Sequence, residues 1–389
     1  MNARRGDEVY ARALAALAGD GAVTGPIGLG SGAWTRTFAR YTPGPDPIGT
    51  IAFQRDGSAA DIVVVAVHAV RPADPAALAL PGPHRAGWLL ARRFPDDPRL
   101  PGLPAVMAGP GRRTVVRYRP GRRCTIRVED GSATRFVKVL KARADGARMH
   151  RDAVALAAAA TAGRLGFAVA APDRFDPATC ALWQGALPGA PVKPRLLGPE
   201  GPALAESMGA AIATLHASGV EPSGLAPPRA AFARARSAAV DLSRRLPALR
   251  REAGTVLARI EAVRDRAPER PLRPLHGAAH AGQWLADGDR LALVDFDRFG
   301  LGDPESDAAV FTSEMAYEDR APAGIGARFV AGYEASGARL DPVLLAAYLA
   351  AGHLAAARRM ARGRRPGAAD RAARAVARAA AELDAAPAR

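Results

Sequence analysis

The stretch HGAAHAGQ, residues 276–283, sets two histidines four apart, two glycines and a glutamine just ahead of the run LALVDFD. An apolar segment, Leu291 to Val294, delivers Asp295 at what reads as a strand end. A rigid strand fixes one carboxylate there while the loop beyond stays open, a good placement for a ligand to a hard cation. Asp297, Asp303 and Asp307 follow. Asp303 precedes Pro304 and reads as the cap of a helix with proline at its first position, so Asp303 and Asp307 take a structural reading first. His276 and His280 have the spacing of the zinc motif HExxH, but the glutamate is missing, and Gly277 and Gly282 oppose a helix. No GxSxG elbow or Cys–His pairing supports a hydrolase triad. The glycines of GLGSG, residues 28–32, have no strand–helix context and no GKS or GKT after them, so that segment reads as a loop.

The elements that must position these residues can be read from periodicity. A helix is expected over residues 4–18, then three strands in AWTRTFARY, GTIAFQRD and DIVVVAVHAV, with turns at PGPDP and RDGS. Proline-rich segments, PADPAALALPGPH and FPDDPRLPGLP, read as a connection, with a boundary near residue 110. Three strands follow in TVVRYRP, RCTIRVE and TRFVKVL, joined at Pro120-Gly121 and Asp130-Gly131-Ser132, which are good hairpin signals. An alanine-rich helix spans about 146–163, and strand-like pieces surround FAVAAPDRF and CALWQGALPG. Helices are expected near 201–217, 228–246, 248–266, 322–335, 341–362 and 366–385, interrupted by a β insert at 284–296. No internal repeat is visible.

The chain has 389 residues, enough for two or three domains. Its formal charge is +16, which raises nucleic acid as a partner. Only three of the 54 basic residues are lysines, Lys138, Lys141 and Lys193. The arginines are scattered, with short clusters such as ARRMARGRR and no basic stripe interleaved with aromatics. That pattern reads as a compositional bias, and nucleic acid is disfavoured. Cys124 and Cys180 lack CxxC spacing and read as reduced thiols. The N-terminus places Asp7 and Glu8 where a signal core would begin, and the most apolar run, residues 342–357, is shorter than a membrane span. A cytoplasmic protein without membrane association is expected.

The run LHGAAHAGQWLADGDRLALVDFDRFGLGDPESDAA resembles the signature of the aminoglycoside phosphotransferase and choline kinase-like superfamily, relatives of the protein kinases. Those proteins read roughly HGDxHxxN, a short strand pair, then DF/DxxxGDPxxD. The likeness follows element order over about 112–362. VVRYRPGRRCTIRVEDGSATRFVKVL is similar to the first strands of that family's small lobe, WQGALPGAPV to its hinge segment, and ESMGAAIATLHASGV to its helix ending in LAxLHxxG. The resemblance implies an α+β, protein kinase-like bilobal fold, with a small β-rich lobe, a large helical lobe and an N-terminal β-rich extension. The implied division is an extension of unknown role at 1–110, a nucleotide-binding lobe at 111–195, and a helical lobe at 196–389 with its catalytic loop at 275–307.

ATP and Mg²⁺ are the implied cofactors. Lys138 would hold nucleotide phosphates, its strand alternation aiming it at one face. Asp295 would bind Mg²⁺, and Gln283 stands where the family has Asn as second metal ligand. The acid that partners the lysine is usually a Glu on the first helix; none occurs at 146–163, and Asp152 is the substitute. Ala278 occupies the position of the proton-accepting Asp, next to His276. Three explanations stand open: a nucleotide-binding pseudokinase, an active enzyme whose base is relocated to Asp297 or His280, or a substitution introduced into an HGD parent. General-base contributions are about 10²–10⁴-fold, so the difference is large. The implied partner is a small molecule whose hydroxyl accepts phosphate, such as a sugar or aminoglycoside. Glu305, Asp307, Glu314, Glu318 and Asp319 would favour a cationic acceptor, though a solvated acidic helix face is the simpler reading. Sparse aromatics disfavour choline.

Overall fold

The computed structural model describes residues 3–18, 21–29, 33–41, 47–58, 60–80, 87–142, 144–223, 230–362 and 367–387. Residues 30–32 of the glycine segment and 43–46 of the expected PGPDP turn lie outside these. The chain forms two compact units, residues 1–147 with 173–186, and residues 148–172 with 187–389.

The first unit holds two five-stranded sheets. The first sheet runs, in spatial order, Trp34–Tyr41, Gly49–Arg55, Ile62–His68, Trp88–Arg93 and Leu78–Ala79. Alternation puts Ile51, Phe53, Val63, Val65 and Val67 on one buried face, covered by Val9, Tyr10, Ala13 and Leu14 of the helix Ala3–Ala16. The strand Trp88–Arg93 and the helix Leu103–Ala108 fall inside what reads in sequence as a proline-rich connection. The strand exists because it pairs with Ile62–His68, a tertiary partner that local composition does not reveal.

The second sheet orders Arg112–Arg119, Arg123–Asp130, Ala133–Leu140, Ala181–Gly185 and Pro172–Asp176. Both expected hairpin glycines take positive φ, +65° at Gly121 and +57° at Gly131. One face buries Cys124, Ile126, Val128, Val137 and Val139 against Leu100, Leu103 and Val106. Both cysteines are free, and burial pushes the Cys124 thiol up to about 12, which keeps it protonated and inert. Asp97 ties the connection to this sheet: its carboxylate accepts from the Tyr118 hydroxyl at 2.8 Å and from the Gly121 N–H at 2.7 Å.

The second unit is largely helical. Gly201–Ala217 and Ile325–Ala335 cross at contact distance because each presents a glycine to the other's backbone. A Cβ on Gly209 would meet the Phe329 carbonyl oxygen at 1.9 Å, and one on Gly332 the Glu206 oxygen at 2.0 Å. Trp284, fully buried, is packed edge-on by Phe167 at 5.8 Å in the main core of this unit. The helices Ala230–Arg245, Arg250–Arg266, Pro342–Arg362 and Ala368–Asp384 share a second core built largely from alanine. Among the described residues no helix is long and apolar enough to cross a membrane.

Candidate active site

Two short antiparallel ladders hold the loop 276–283 and the loop 294–299 at all four ends. Arg273–Leu275 pairs with Gly300–Gly302, and Trp284–Asp287 pairs with Arg290–Leu293. The loops are stitched to one another as well: the Val294 N–H donates to the Gln283 carbonyl at 3.0 Å.

His276 is fully buried between them. Its Nε2 lies 2.9 Å from the Val294 carbonyl, which can only accept, so Nε2 carries the proton. Nδ1 is then left to accept the Ala278 N–H at 3.2 Å. The ring packs edge-on against Phe296 at 4.5 Å. Burial pushes its pKa below the ordinary histidine value, against the pull of Asp307. His276 is therefore a neutral brace whose two nitrogens set the loop path.

Asp307 supplies the main anchor. Its two oxygens accept the backbone N–H groups of His276 and Gly277, each at 2.8 Å. His216 Nε2–H donates to the same carboxylate at 3.3 Å, and the Tyr333 hydroxyl donates to His216 Nδ1 at 3.0 Å. The glycine-mediated helix crossing places His216 and Tyr333, so helix packing reaches the loop through three polar contacts. Burial alone would raise the Asp307 carboxyl; the His216 bond and the backbone donors outweigh it and hold the group below the ordinary carboxylate range. Gly277 has φ +74°, and a Cβ there would lie 2.6 Å from the Arg298 carbonyl oxygen, so only glycine fits.

Asp303 does not cap the following helix as its place before proline suggests. The helix runs Glu305–Met315 with Pro304 at the cap position and no side-chain cap. Asp303 instead accepts from the Tyr348 hydroxyl at 2.6 Å and pairs with Arg270, which also bridges Glu305. Of the five acidic residues of this run, only Asp319 is exposed. Glu305 and Asp307 are fully buried, Glu318 pairs with Lys193, and Glu314 takes the Ala281 N–H at 3.1 Å.

Asp295 and Gln283 meet: Gln283 Nε2 donates to Asp295 Oδ2 at 3.0 Å. Asp295 takes φ +71°, a left-handed conformation that non-glycine residues adopt rarely and that concentrates at functional sites. Among the described residues no three His, Cys, Asp or Glu side chains converge as a metal cage. One carboxylate and one amide oxygen suit Mg²⁺, which commonly takes one or two protein oxygens and fills its octahedron with water and phosphate.

Ala278 opens on a cleft of about 350 Å³ within the second unit. His280 and Glu314 share its wall, with His280 Nδ1 3.8 Å from Glu314 Oε2. Asp297 is half-buried and is not among the residues lining it.

The sequence profile of the phosphotransferase enzyme family, APH, matches residues 121–343, more than half of the chain. The chain belongs to that family. Among solved structures it is similar to a thermostable mutant of aminoglycoside phosphotransferase APH(4)-Ia, at 14% identity and TM-score 0.52, covering 73% of this chain and 98% of that one. It is also similar to a choline/ethanolamine kinase family protein from Mesorhizobium loti, at 21% identity and TM-score 0.49, covering 74% and 92%. A third is aminoglycoside-3'-phosphotransferase of type VIII, at 24% identity and TM-score 0.47, covering 66% and 97%. No curated protein matches. The likeness to APH(4)-Ia is one of fold and agrees with the α+β, kinase-like architecture.

In this family member, Lys138 sits on Ala133–Leu140 between Thr125 and Leu182 of the neighbouring strands. Val137 and Val139 turn into the core, which puts Lys138 on the opposite face of the sheet. Asp152 is buried and committed within the second unit, pairing with Arg148 at 2.8 Å and accepting the Ser223 N–H at 2.7 Å. Sequence reasoning missed His216 and Tyr333 as anchors, and it missed the arginines of the cleft. The histidine of the LHASG helix end was the available signal for the first; a chain with arginine everywhere offers none for the second.

Proposed function

We propose that this protein transfers the γ-phosphoryl group of ATP to a hydroxyl of a small molecule, with Mg²⁺ on Asp295 and Gln283 and nucleotide phosphates on Lys138. The observation that carries the reading is the Gln283–Asp295 pair at 3.0 Å, on loops fixed by Asp307 beside an open cleft. Phosphoryl transfer depends on positioning and charge neutralisation more than on covalent help from the protein, so that arrangement retains most of what the chemistry needs. Mg²⁺, when bound, offsets phosphate charge, and Gln283 would turn its amide oxygen toward it. Along the chain, 1–110 is assigned as an extension, 111–195 as the nucleotide lobe and 196–389 as the acceptor lobe of a cytoplasmic enzyme.

Ala278 cannot take a proton. His280 lines the cleft with Ala278 and is the basic residue closest to it in sequence, with Glu314 beside its ring, so we assign acceptance of the hydroxyl proton to His280 rather than Asp297. His276 has both nitrogens on backbone groups and acts by positioning.

The test is phosphate transfer from ATP to a panel of hydroxyl compounds by wild type, Ala278→Asp, His280→Asn and Asp297→Asn. Wild type should turn over slowly, His280→Asn should lose about 10²-fold, and Asp297→Asn should match wild type. Turnover by Ala278→Asp alone, with Mg-ATP bound by both, would make the natural chain a nucleotide-binding pseudokinase. No Mg-ATP binding by either would sink the reading.

A further inference from the structure

The cleft on which Ala278 opens has a cationic lining. Arg234, Arg298, Arg358 and Arg359 line it against one carboxylate, Glu314. That carboxylate is engaged by the Ala281 N–H and stands beside His280. Among the described residues none of the four arginines is in a salt bridge or a side-chain hydrogen bond. Their neighbours differ: Arg245 and Arg362 both pair with Asp241, and Arg270 pairs with Asp303 and Glu305.

Burial, then the charges of Arg298 and Arg358, lowers the proton affinity of the Arg234 guanidinium. Arg358 is lowered in the same sense by burial and by Arg362 and Arg359, against the opposing pull of Asp241. Arg234 and Arg358 are half-buried, Arg298 and Arg359 exposed; like charges grouped in this way cost stability, and proteins keep such arrangements where a ligand supplies the missing charge. Guanidinium groups suit oxyanions because they offer paired, coplanar N–H donors. The volume, about 350 Å³, is that of a small metabolite.

We propose that the acceptor is a hydroxylated small molecule carrying an oxyanion, a carboxylate or phosphate group, held by Arg234, Arg298 and Arg358 with its hydroxyl toward Ala278 and His280. This names the substrate class of the phosphotransferase reading and rests on it for the word acceptor; the anion site itself does not. A cationic aminoglycoside would meet four like charges.

The test is calorimetric binding to the full chain at fixed ionic strength, without nucleotide. The probes are glucuronate, glucose 6-phosphate, glucose, kanamycin and inorganic phosphate. Glucuronate or glucose 6-phosphate should bind about tenfold or more tightly than glucose, and kanamycin should not bind. The tighter of the two says whether the anion is a carboxylate or a phosphate. Arg234→Gln and Arg298→Gln should each weaken that binding about tenfold, with Mg-ATP affinity unchanged and with Arg251→Gln, an exposed helix position, matching wild type. Failure of both oxyanions to bind, kanamycin or glucose binding as well as they do, or full retention of affinity in Arg234→Gln and Arg298→Gln would each overturn the proposal. Oxyanion binding lost in the arginine variants, with no phosphate transferred even by Ala278→Asp, would leave the anion site standing and remove the phosphotransferase reading.

Discussion

The Asp307 carboxylate accepts the backbone N–H of Gly277 at 2.8 Å, on a residue whose φ is +74°. A buried charge thus fixes the one peptide in the loop that no other residue type could form. Replacing Asp307 by Ala would orphan the buried N–H groups of His276 and Gly277 and the His216 ring donor. Each orphaned group costs roughly 1–3 kcal/mol, so a loss of about 3–5 kcal/mol is expected. Urea denaturation of the variant measures it; a loss below 1 kcal/mol, on the order of one neutral hydrogen bond, would refute the anchoring role.

Gly277→Ala should be far worse than Gly131→Ala, although both have positive φ. At Gly131 nothing lies within 4 Å of the point a methyl would occupy, so only the backbone preference is lost, about 1 kcal/mol. At Gly277 the methyl meets the Arg298 carbonyl, and the loop must move. Thermal stability and Mg-dependent stabilisation by ATP should both fall in the first variant and only the former, slightly, in the second.

Stability should decline on mild acidification. His276 has a folded pKa below its unfolded value of 6.5, so the unfolded chain binds the extra proton first. Its contribution is present above pH 6.5 and lost as pH falls below it. Asp307, also lowered, contributes above its unfolded 3.8 and is lost only as pH falls through its folded value. Denaturation midpoints at pH 7.5 and about 5.5 should therefore differ for wild type and converge for His276→Gln. Equal wild-type midpoints would contradict the neutral brace.

Asp295→Asn and Lys138→Ala separate metal from nucleotide. Asp295→Asn should remove the Mg²⁺ dependence of ATP binding while leaving weak metal-free binding. Lys138→Ala should weaken ATP about tenfold or more with and without Mg²⁺. Titration calorimetry reads both, and an unchanged Mg²⁺ dependence in Asp295→Asn would displace the metal to other ligands.

Asp97→Ala tests the first unit. The side chain is 7% exposed and takes three donors, Arg99 N–H, Tyr118 O–H and Gly121 N–H. Burial and the adjacent carboxylate keep the Tyr118 hydroxyl protonated well above its ordinary range, so it remains a donor at any working pH. A loss of about 2–4 kcal/mol is expected on denaturation, with Tyr118→Phe costing about 1 kcal/mol.

Local sequence determined much of this protein. Alternation and turn glycines marked the strands around Lys138, because a pleat with one buried face imposes period two on its own residues. The loop from His276 to Asp307 was marked only by the resemblance of its run of residues to a family signature, since its residues taken singly carried structural readings as well. Tertiary structure decided the rest. Trp88–Arg93 became a strand by pairing with Ile62–His68, and Asp303 left its capping position for Tyr348 and Arg270. The acidic run, which in sequence leaned toward a cationic ligand or a wet surface, was drawn inward as anchors by His216, Arg270 and the loop's own N–H groups. The charge of the cleft was decided by arginines from three separate segments, at 234, 298 and 358–359. Coulomb energy depends on distance through space, and separations of 64 and 60 residues along the chain hide it.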